Sequence, residues 1–236
     1  MLKNIEKYYS PNFNPAKRSK NKIKFIIIHY TGMKKEKHAI ERLTNIQSEV
    51  SCHYFIQSNG KIIQMIPELY IAWHAGKSKW KNSTFINSSS LGIELSNPGH
   101  NFGYKKFNKR QITSLIYLLK NLSDRYKISN KNILGHSDIA PERKKDPGEK
   151  FPWKYLARKK MSFWHKLSQN ELYKSRNLKI SKNEKSIFFR NLNKIGYSLK
   201  NKFSTTKAFQ RRFRQELING KIDKECFIIS NSLKSI

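Results

Sequence analysis

Ile23-Lys24-Phe25-Ile26-Ile27-Ile28-His29-Tyr30 is a strongly β-branched run of the length of a central strand, and it gives way to Thr31 and Gly32. Such a run reads as a strand buried in a sheet. His29 then emerges where the sheet edge becomes loop, held by a rigid element and facing open space. Downstream, residues 35–49 space Ala39, Ile40, Leu43 and Ile46 at helical intervals. Residues 51–57 alternate, Ser58-Asn59-Gly60 reads as a hairpin turn, and residues 61–66 return as its second strand. Tyr70, Trp73 and His74 lie in a loop-like context over residues 68–76, and Leu91-Gly92-Ile93-Glu94-Leu95 is a short strand with a charge in its middle. Asn108 caps a helix carrying the stripe Ile112, Leu115, Ile116, Leu119, Leu122 and Tyr126. With Ile133 and Leu134 as a last short strand, the order is β-α-β-β-β-α-β. It predicts an α/β fold, a mixed central sheet flanked by helices, with its core complete by about residue 160.

On the amino-terminal side, residues 1–22 are polar, include Pro11 and Pro15, and read as an extended, wrapping lead-in. Residues 161–182 are polar and basic around Trp164 and read as a linker. Three helical segments follow. Residues 186–195 carry Phe188, Leu192 and Ile195 and stop at Gly196. Thr205 or Thr206 caps a second with Ala208, Phe209, Phe213 and Leu217, ended by Gly220, and Asp223 caps a third with Phe227, Ile228 and Leu233. The expected division is therefore a first domain over 1–160 (core 23–156), a linker over 161–182 and a small three-helix C-terminal domain over 183–236. Phe209 and Phe213 read as core of that small domain.

The chain carries 48 Lys and Arg against 16 Asp and Glu, a formal net charge of +32. Residues 1–150 hold 27 of the bases and 11 of the acids, so the excess is spread and no single basic patch accounts for it. It is either a lysine-rich compositional bias or attraction to a polyanion: nucleic acid, an anionic membrane surface or a carboxylate-rich cell-wall polymer. Cys52 and Cys226 fall in different domains, which argues against a mutual disulfide. Residues 1–24 contain no apolar run of seven or more, and 25–28 is too short for a signal or a membrane span. The sequence as written thus predicts a cytoplasmic monomer with no transmembrane segment. A start site placed too far downstream would hide an export signal and make the periplasm or outer membrane the alternative.

The chemistry concentrates in Leu134-Gly-His-Ser-Asp-Ile-Ala-Pro-Glu-Arg-Lys-Lys-Asp-Pro-Gly148. Gly135, Pro141, Pro147 and Gly148 forbid a long helix or central strand, so the polar groups are expected on a loop after a short strand. His136 and Asp146 can reach a common point, and with His29 they form a two-imidazole, one-carboxylate set suited to one Zn2+. Three protein ligands leave a tetrahedral position open, the pattern of a catalytic site. Asp138 competes as the carboxylate ligand, or else braces the loop. A hydrolase needs in addition a general base and a group that stabilises the oxyanion. Glu94, a lone carboxylate in an apolar strand, suits the first task. Lys144 suits the second, with Lys145 as its neighbouring rival.

At these residues the sequence resembles the zinc-dependent N-acetylmuramoyl-L-alanine amidases, the type 2 amidases akin to peptidoglycan recognition proteins. The matching segments are Ile-Ile-His-Tyr-Thr, Ser-Cys-His-Tyr-Phe-Ile, Ala-Trp-His-Ala-Gly, Gly-Ile-Glu-Leu and the His136 to Asp146 loop, in family order across roughly residues 23–156. The C-terminal segment is similar to a peptidoglycan-binding three-helix domain, a combination resembling the two-domain amidases of Gram-negative bacteria of the AmpD/AmiD kind. The resemblance implies that His29, His136 and Asp146 bind zinc, Glu94 is the base and Lys144 assists the transition state. It also implies cleavage of the amide between the lactyl group of N-acetylmuramic acid and L-alanine, in peptidoglycan or a recycled muropeptide. Tyr30, Trp73, His74 and Arg143 become candidate substrate contacts. Trp73 and His74 read equally as core, and Arg143 equally as half of a loop salt bridge. Some relatives place a tyrosine where this chain has Cys52, which is assigned no chemical role. His53 reads as a hydrogen-bonded core residue, and His38, His100 and His165 as surface. Two other readings are a non-catalytic peptidoglycan sensor and a nucleic-acid-binding protein, the latter expected to bind weakly and without specificity.

Overall fold

The computed structural model describes residues 5–234; the first four residues of the expected lead-in and the last two of the C-terminal domain lie outside them. The chain opens with β1 (Glu6–Lys7), β2 (Phe13–Asn14) and β3 (Phe25–Tyr30). Next come α1 (Glu36–Thr44), β4 (Tyr54–Ile56), β5 (Ile62–Gln64) and β6 (Ile71–Ala72). α2 (Ile86–Ser89) runs into β7 (Ser90–Leu95), followed by α3 (Lys109–Tyr126), β8 (Ile133–Gly135) and the single turn α4 (His136–Ile139). The rest is helical: α5 (Trp153–Arg158), α6 (Gln169–Ser175), α7 (Lys182–Ile195), α8 (Lys202–Phe213) and α9 (Lys224–Leu233).

Six strands make one mixed sheet in the order β1-β5-β4-β7-β3-β8. β3 pairs parallel with both β7 and β8, and its register sets His29 opposite Glu94. The expected hairpin is present as antiparallel β4 and β5. Within residues 68–76, expected as loop, β6 pairs with β2. Two residues are too few to leave an alternating pattern in the sequence. The lead-in wraps as expected: Asn12 is fully buried and its amide donates to the carbonyls of Asn45 and Val50, each at 2.9 Å.

Successive side chains of a strand point to opposite faces, so β3 feeds two cores. Ile26 and Ile28 pack with Ile93, Leu95 and the α3 stripe of Leu115, Leu118, Leu119 and Leu122. Phe25 and Ile27 point the other way, into a cluster with Leu134, Phe188, Phe209 and Ile229. Each such side chain contributes about 1.5–3 kcal/mol when fully buried. The core is therefore not complete by residue 160. A central strand is apolar on both faces, and α7, α8 and α9 cover the part of the second face formed by β3 and β8. α1 covers another part, where Ala39 and Leu43 meet Phe55 and Ile63. Residues 161–182, expected as a linker, contain α6 and bury Phe163 and Leu172 against the same second cluster.

Several boundaries differ from expectation for local reasons. α1 stops at Thr44 because the Asn45 side chain accepts from the Gln47 amide and starts a short 3-10 turn; Ile46 is 66% exposed rather than part of the stripe. α8 is capped by Asn201, which accepts from Ser204, while Thr205 and Thr206 lie buried inside the helix. It ends at Phe213, so Leu217 and Gly220 lie beyond it. Asn108 caps α3 as expected, in a reciprocal box with Gln111. Cys52 and Cys226 are both buried and unpaired. Among the described residues no helix is long and apolar enough to cross a membrane.

Candidate metal centre and active-site cleft

His29 follows Phe25 and Ile27 on the second face of β3 and stands where the strand ends. Residues 134–148 come to it from β8. The Ser137 N–H donates to the Asp146 carbonyl at 2.8 Å, so the loop closes on itself and brings residues ten apart together. Nδ1 of His29 and Nδ1 of His136 lie 2.9 Å apart, and each is 3.0 Å from Asp146 Oδ2. His136 is not on an irregular loop, as expected, but opens the one-turn α4. Asp138 accounts for the turn: its Oδ2 accepts from the Gly135 N–H at 2.8 Å, while Arg212 and Tyr197 take its remaining acceptor sites. It braces the loop and is not the carboxylate of the metal set.

The ring nitrogens facing away from this point decide the tautomers. His136 Nε2 donates to the Ala75 carbonyl at 3.1 Å, which leaves a lone pair on its Nδ1. His29 Nε2 lies 3.1 Å from His74 Nδ1, His74 Nε2 lies 3.2 Å from Ser90 Oγ, and that hydroxyl donates to the Ile86 carbonyl at 2.5 Å. Read as donors in sequence, the chain places the His29 proton on Nε2 and its lone pair on Nδ1. Two imidazole lone pairs and a carboxylate oxygen thus aim at one buried point. Without a cation between them they repel; with one, the arrangement is satisfied. Tetrahedral zinc with ligand bonds near 2.0–2.1 Å sets its donors about 3.3 Å apart, close to the spacing found. His29, His136 and Asp146 are the one such group among the described residues.

Electrostatics agree with a cation site. Burial, then the neighbouring His136, pushes the His29 imidazolium down to about 4, so the ring is neutral and able to ligate at neutral pH. Burial opposes ionisation of Asp146, but positive charge and proton donation from the imidazole side outweigh it and hold the carboxyl well below the usual range, the part a cation plays when the rings turn lone pairs to that point. Glu94 stands on β7 in register with His29, and burial followed by the Asp146 charge pushes its carboxyl up to about 8, against the pull of Lys144. Its Oε2 is buried with no hydrogen-bond partner among the described residues.

All these groups open onto one cleft of about 720 Å³. His29, Tyr30, Trp73, His74, Glu94, His136, Arg143, Lys144 and Asp146 all line it, as do Ala39, Arg42 and Leu43 of α1. Lys144 is half-buried and Lys145 exposed, and it is Lys144 whose charge bears on both His29 and Glu94. His74, buried at 9%, both lines the cleft and backs His29. Among the described residues Arg143 makes no salt bridge; its guanidinium donates to the carbonyls of Ala75 and Lys77. His53 is a core residue as expected: its Nδ1 accepts from the Gly92 N–H and its Nε2 donates to Tyr70 O. His38 is exposed, as expected. His165 is buried, not superficial. His100, also expected at the surface, lines the cleft between Tyr30 Oη at 2.8 Å and Glu149 Oε2 at 3.1 Å. The signal for it was positional: Asn97-Pro-Gly-His100 is the turn that follows the strand bearing Glu94.

A parallel-centred sheet that delivers two imidazoles and a carboxylate to one point at the base of a cleft, beside a half-buried carboxyl and a lysine, is the arrangement of a hydrolase with a site consistent with a metal ion. Comparison with known proteins makes the class specific. The family profile Amidase_2, N-acetylmuramoyl-L-alanine amidase, matches residues 19–149. The chain belongs to that family. It is 35% identical over 246 aligned positions to N-acetylmuramoyl-L-alanine amidase AmiD of Escherichia coli K12, covering 97% of this chain and 88% of the relative. To 1,6-anhydro-N-acetylmuramyl-L-alanine amidase AmpD of the same organism it is 38% identical over 104 positions, covering 44% of this chain and 55% of AmpD. Its structure superposes on E. coli AmiD in complex with the substrate anhydro-N-acetylmuramic acid-L-Ala-D-gamma-Glu-L-Lys with a TM-score of 0.80, at 33% identity over 94% of this chain and 92% of that one. AmpDh3 of Pseudomonas aeruginosa, in complex with anhydromuramic pentapeptide, gives the same TM-score at 28% identity, covering 94% of each chain.

Proposed function

We propose that the chain hydrolyses the amide between the lactyl group of N-acetylmuramic acid and L-alanine, using one zinc ion held by His29, His136 and Asp146. The observation that carries this is the convergence of three donor atoms within 3.0 Å of one another on a cleft that also holds Glu94. The donor set of two nitrogens and one oxygen suits zinc among divalent ions. When bound, zinc supplies a Lewis acid for the scissile carbonyl and lowers the pKa of a coordinated water to about 7.

The chain's own groups do the remainder. Glu94 takes a proton from the attacking water and returns it to the leaving amine of L-alanine, for which a carboxyl that titrates near neutrality is suited. Lys144 donates to the carbonyl oxygen as that oxygen gains charge. Tyr30, Trp73 and His100 form cleft wall against the sugar and stem peptide, and Arg143 holds the irregular segment from Ala75 to Lys77 in place beside them. We place the catalytic domain over residues 1–160 and assign residues 183–236 to the helical unit packed on it. The muramyl peptides held by the AmiD and AmpDh3 structures bear an anhydro end, which supports anhydro-muropeptide as a substrate here. Fractionation of native protein separates the two settings: a cytoplasmic enzyme meets recycled muropeptide, a periplasmic one intact murein.

The test is stem-peptide release, read by mass spectrometry, from anhydro-muropeptide and from intact murein incubated with zinc-loaded protein. Glu94→Gln is expected to lose about 10²–10⁴ of the rate while keeping one zinc per chain. Full activity in that variant removes Glu94 from the mechanism. Stoichiometric zinc with no product from either substrate in the unaltered protein establishes a sensor instead.

A further inference from the structure

The loop that supplies two of the three metal donors is gripped from behind by the C-terminal helices. Arg212 of α8 pairs with Asp138, two residues past His136, and both side chains are 1% exposed. Its Nη2 also donates to the Ile133 carbonyl at 3.1 Å and lies 3.2 Å from Ser162 Oγ. Tyr197, between α7 and α8, donates to Asp138 Oδ1 at 2.6 Å. At the loop's other end, Arg211 Nε lies 3.9 Å from Glu149, three residues past Asp146, and Gln215 donates to the Phe151 carbonyl at 2.7 Å. These contacts bracket His136 and Asp146. Asp138 caps the turn that projects His136, and the Ser137 to Asp146 backbone bond couples the two donors, so a shift at Asp138 reaches both.

A buried ion pair is a poor way to gain stability, because desolvating two charges offsets most of their attraction. Here the guanidinium is boxed by Trp153 at 4.1 Å and Phe163 at 4.6 Å, an aromatic setting that an apolar side chain would fill as well. What an apolar residue would not do is fix the position of Asp138. We infer that the C-terminal helical unit is a clamp on the metal loop, and that Arg212 and Tyr197 are positioning residues whose task is to set metal affinity. This inference rests on the metal reading of His29, His136 and Asp146. It gives the helices a role at the reaction centre that is independent of any hold on the cell wall.

The experiment uses the full chain, stripped of metal, with zinc affinity measured by competition with a chromophoric chelator, a readout that needs no turnover. Tyr197→Phe keeps the ring against Trp80, where the centroids are 4.9 Å apart, and removes only the hydroxyl. It is expected to weaken zinc about tenfold, and Arg212→Met up to about a hundredfold, the range usual for groups that orient metal ligands. Saturating zinc should restore kcat with KM unchanged, which a general loss of structure would not permit. Should Arg212→Met fail to fold because Asp138 is left unpaired, the double variant Asp138→Asn/Arg212→Met removes the charge and is expected to fold and bind zinc weakly. Wild-type zinc affinity in folded Tyr197→Phe and in the double variant overturns the clamp. Failure of the unaltered protein to bind zinc overturns instead the metal reading beneath it, so the two failures are distinct.

Discussion

A Cβ added at Gly92 would lie 2.5 Å from the His74 ring, and that ring is already engaged at 3.1 Å with His29. Gly92→Ala must therefore displace His74 from its place against His29. Together with His74→Phe, which removes the acceptor for the His29 proton, it is expected to lower zinc affinity by about 10–100-fold, measured against a chelator. Glu94 gives a prediction in pH. Its carboxyl titrates near 8 when folded without metal and near 4.5 in an ordinary environment. Between those values the unfolded chain has lost a proton that the folded chain keeps, so stability falls as pH rises through the window. Metal-free Glu94→Gln should thus melt above metal-free wild type at pH 8, with the gap closing toward pH 4.5. A cation beside the group favours its carboxylate, so activity in zinc-loaded enzyme should rise with pH to a midpoint below 8. His29 and His136 were legible as candidate metal donors because each stands where a strand ends, and Asp146 because Pro147 and Gly148 punctuate the loop that carries it. His74 was not resolved between core and cleft, since what it touches is set by strand register and not by spacing along the chain.

At the scale of elements, α3 is the clearest case of sequence dictating structure. Its apolar stripe, its Asn108 box and the αL residue Lys127 that ends it agree on one 18-residue helix. Asn108→Ala should cost about 1 kcal/mol, seen as a fall in melting temperature of about 2–4 °C with activity kept. α4 was hidden by its own punctuation. Gly135 and Pro141 rule out a long helix, yet they leave room for one turn once Asp138 caps it. The docking of α7, α8 and α9 was hidden for another reason: an amphipathic stripe declares that a face is buried, not against what. Their apolar residues read as a private core, whereas they share one with Phe25, Ile27 and Leu134. α8 carried a clue, because Gln210, Arg211 and Arg212 are three polar residues in a row, all buried.

For the whole molecule, an ion held by His29, His136 and Asp146 would link metal binding to folding. An ion present at about a hundred times its dissociation constant stabilises the native state by about 2.7 kcal/mol. For a chain of this size, chelation should lower the melting temperature by about 5–10 °C, and zinc should restore it. The net charge of +32 belongs to this scale too. Fields of exposed charges reach only about 8 Å at physiological ionic strength, so they act on a polymer laid along the surface more than on one small ligand. Raising salt should therefore raise KM for intact murein more than KM for a free muropeptide; equal effects would leave the charge as composition alone. The two cysteines carry a last consequence. Burial places the Cys52 thiol well above its ordinary pKa and the Cys226 thiol near 12, so neither offers thiolate to an oxidant or a disulfide. The covalent framework of the folded chain is thereby the same in glutathione-rich and in oxidising surroundings.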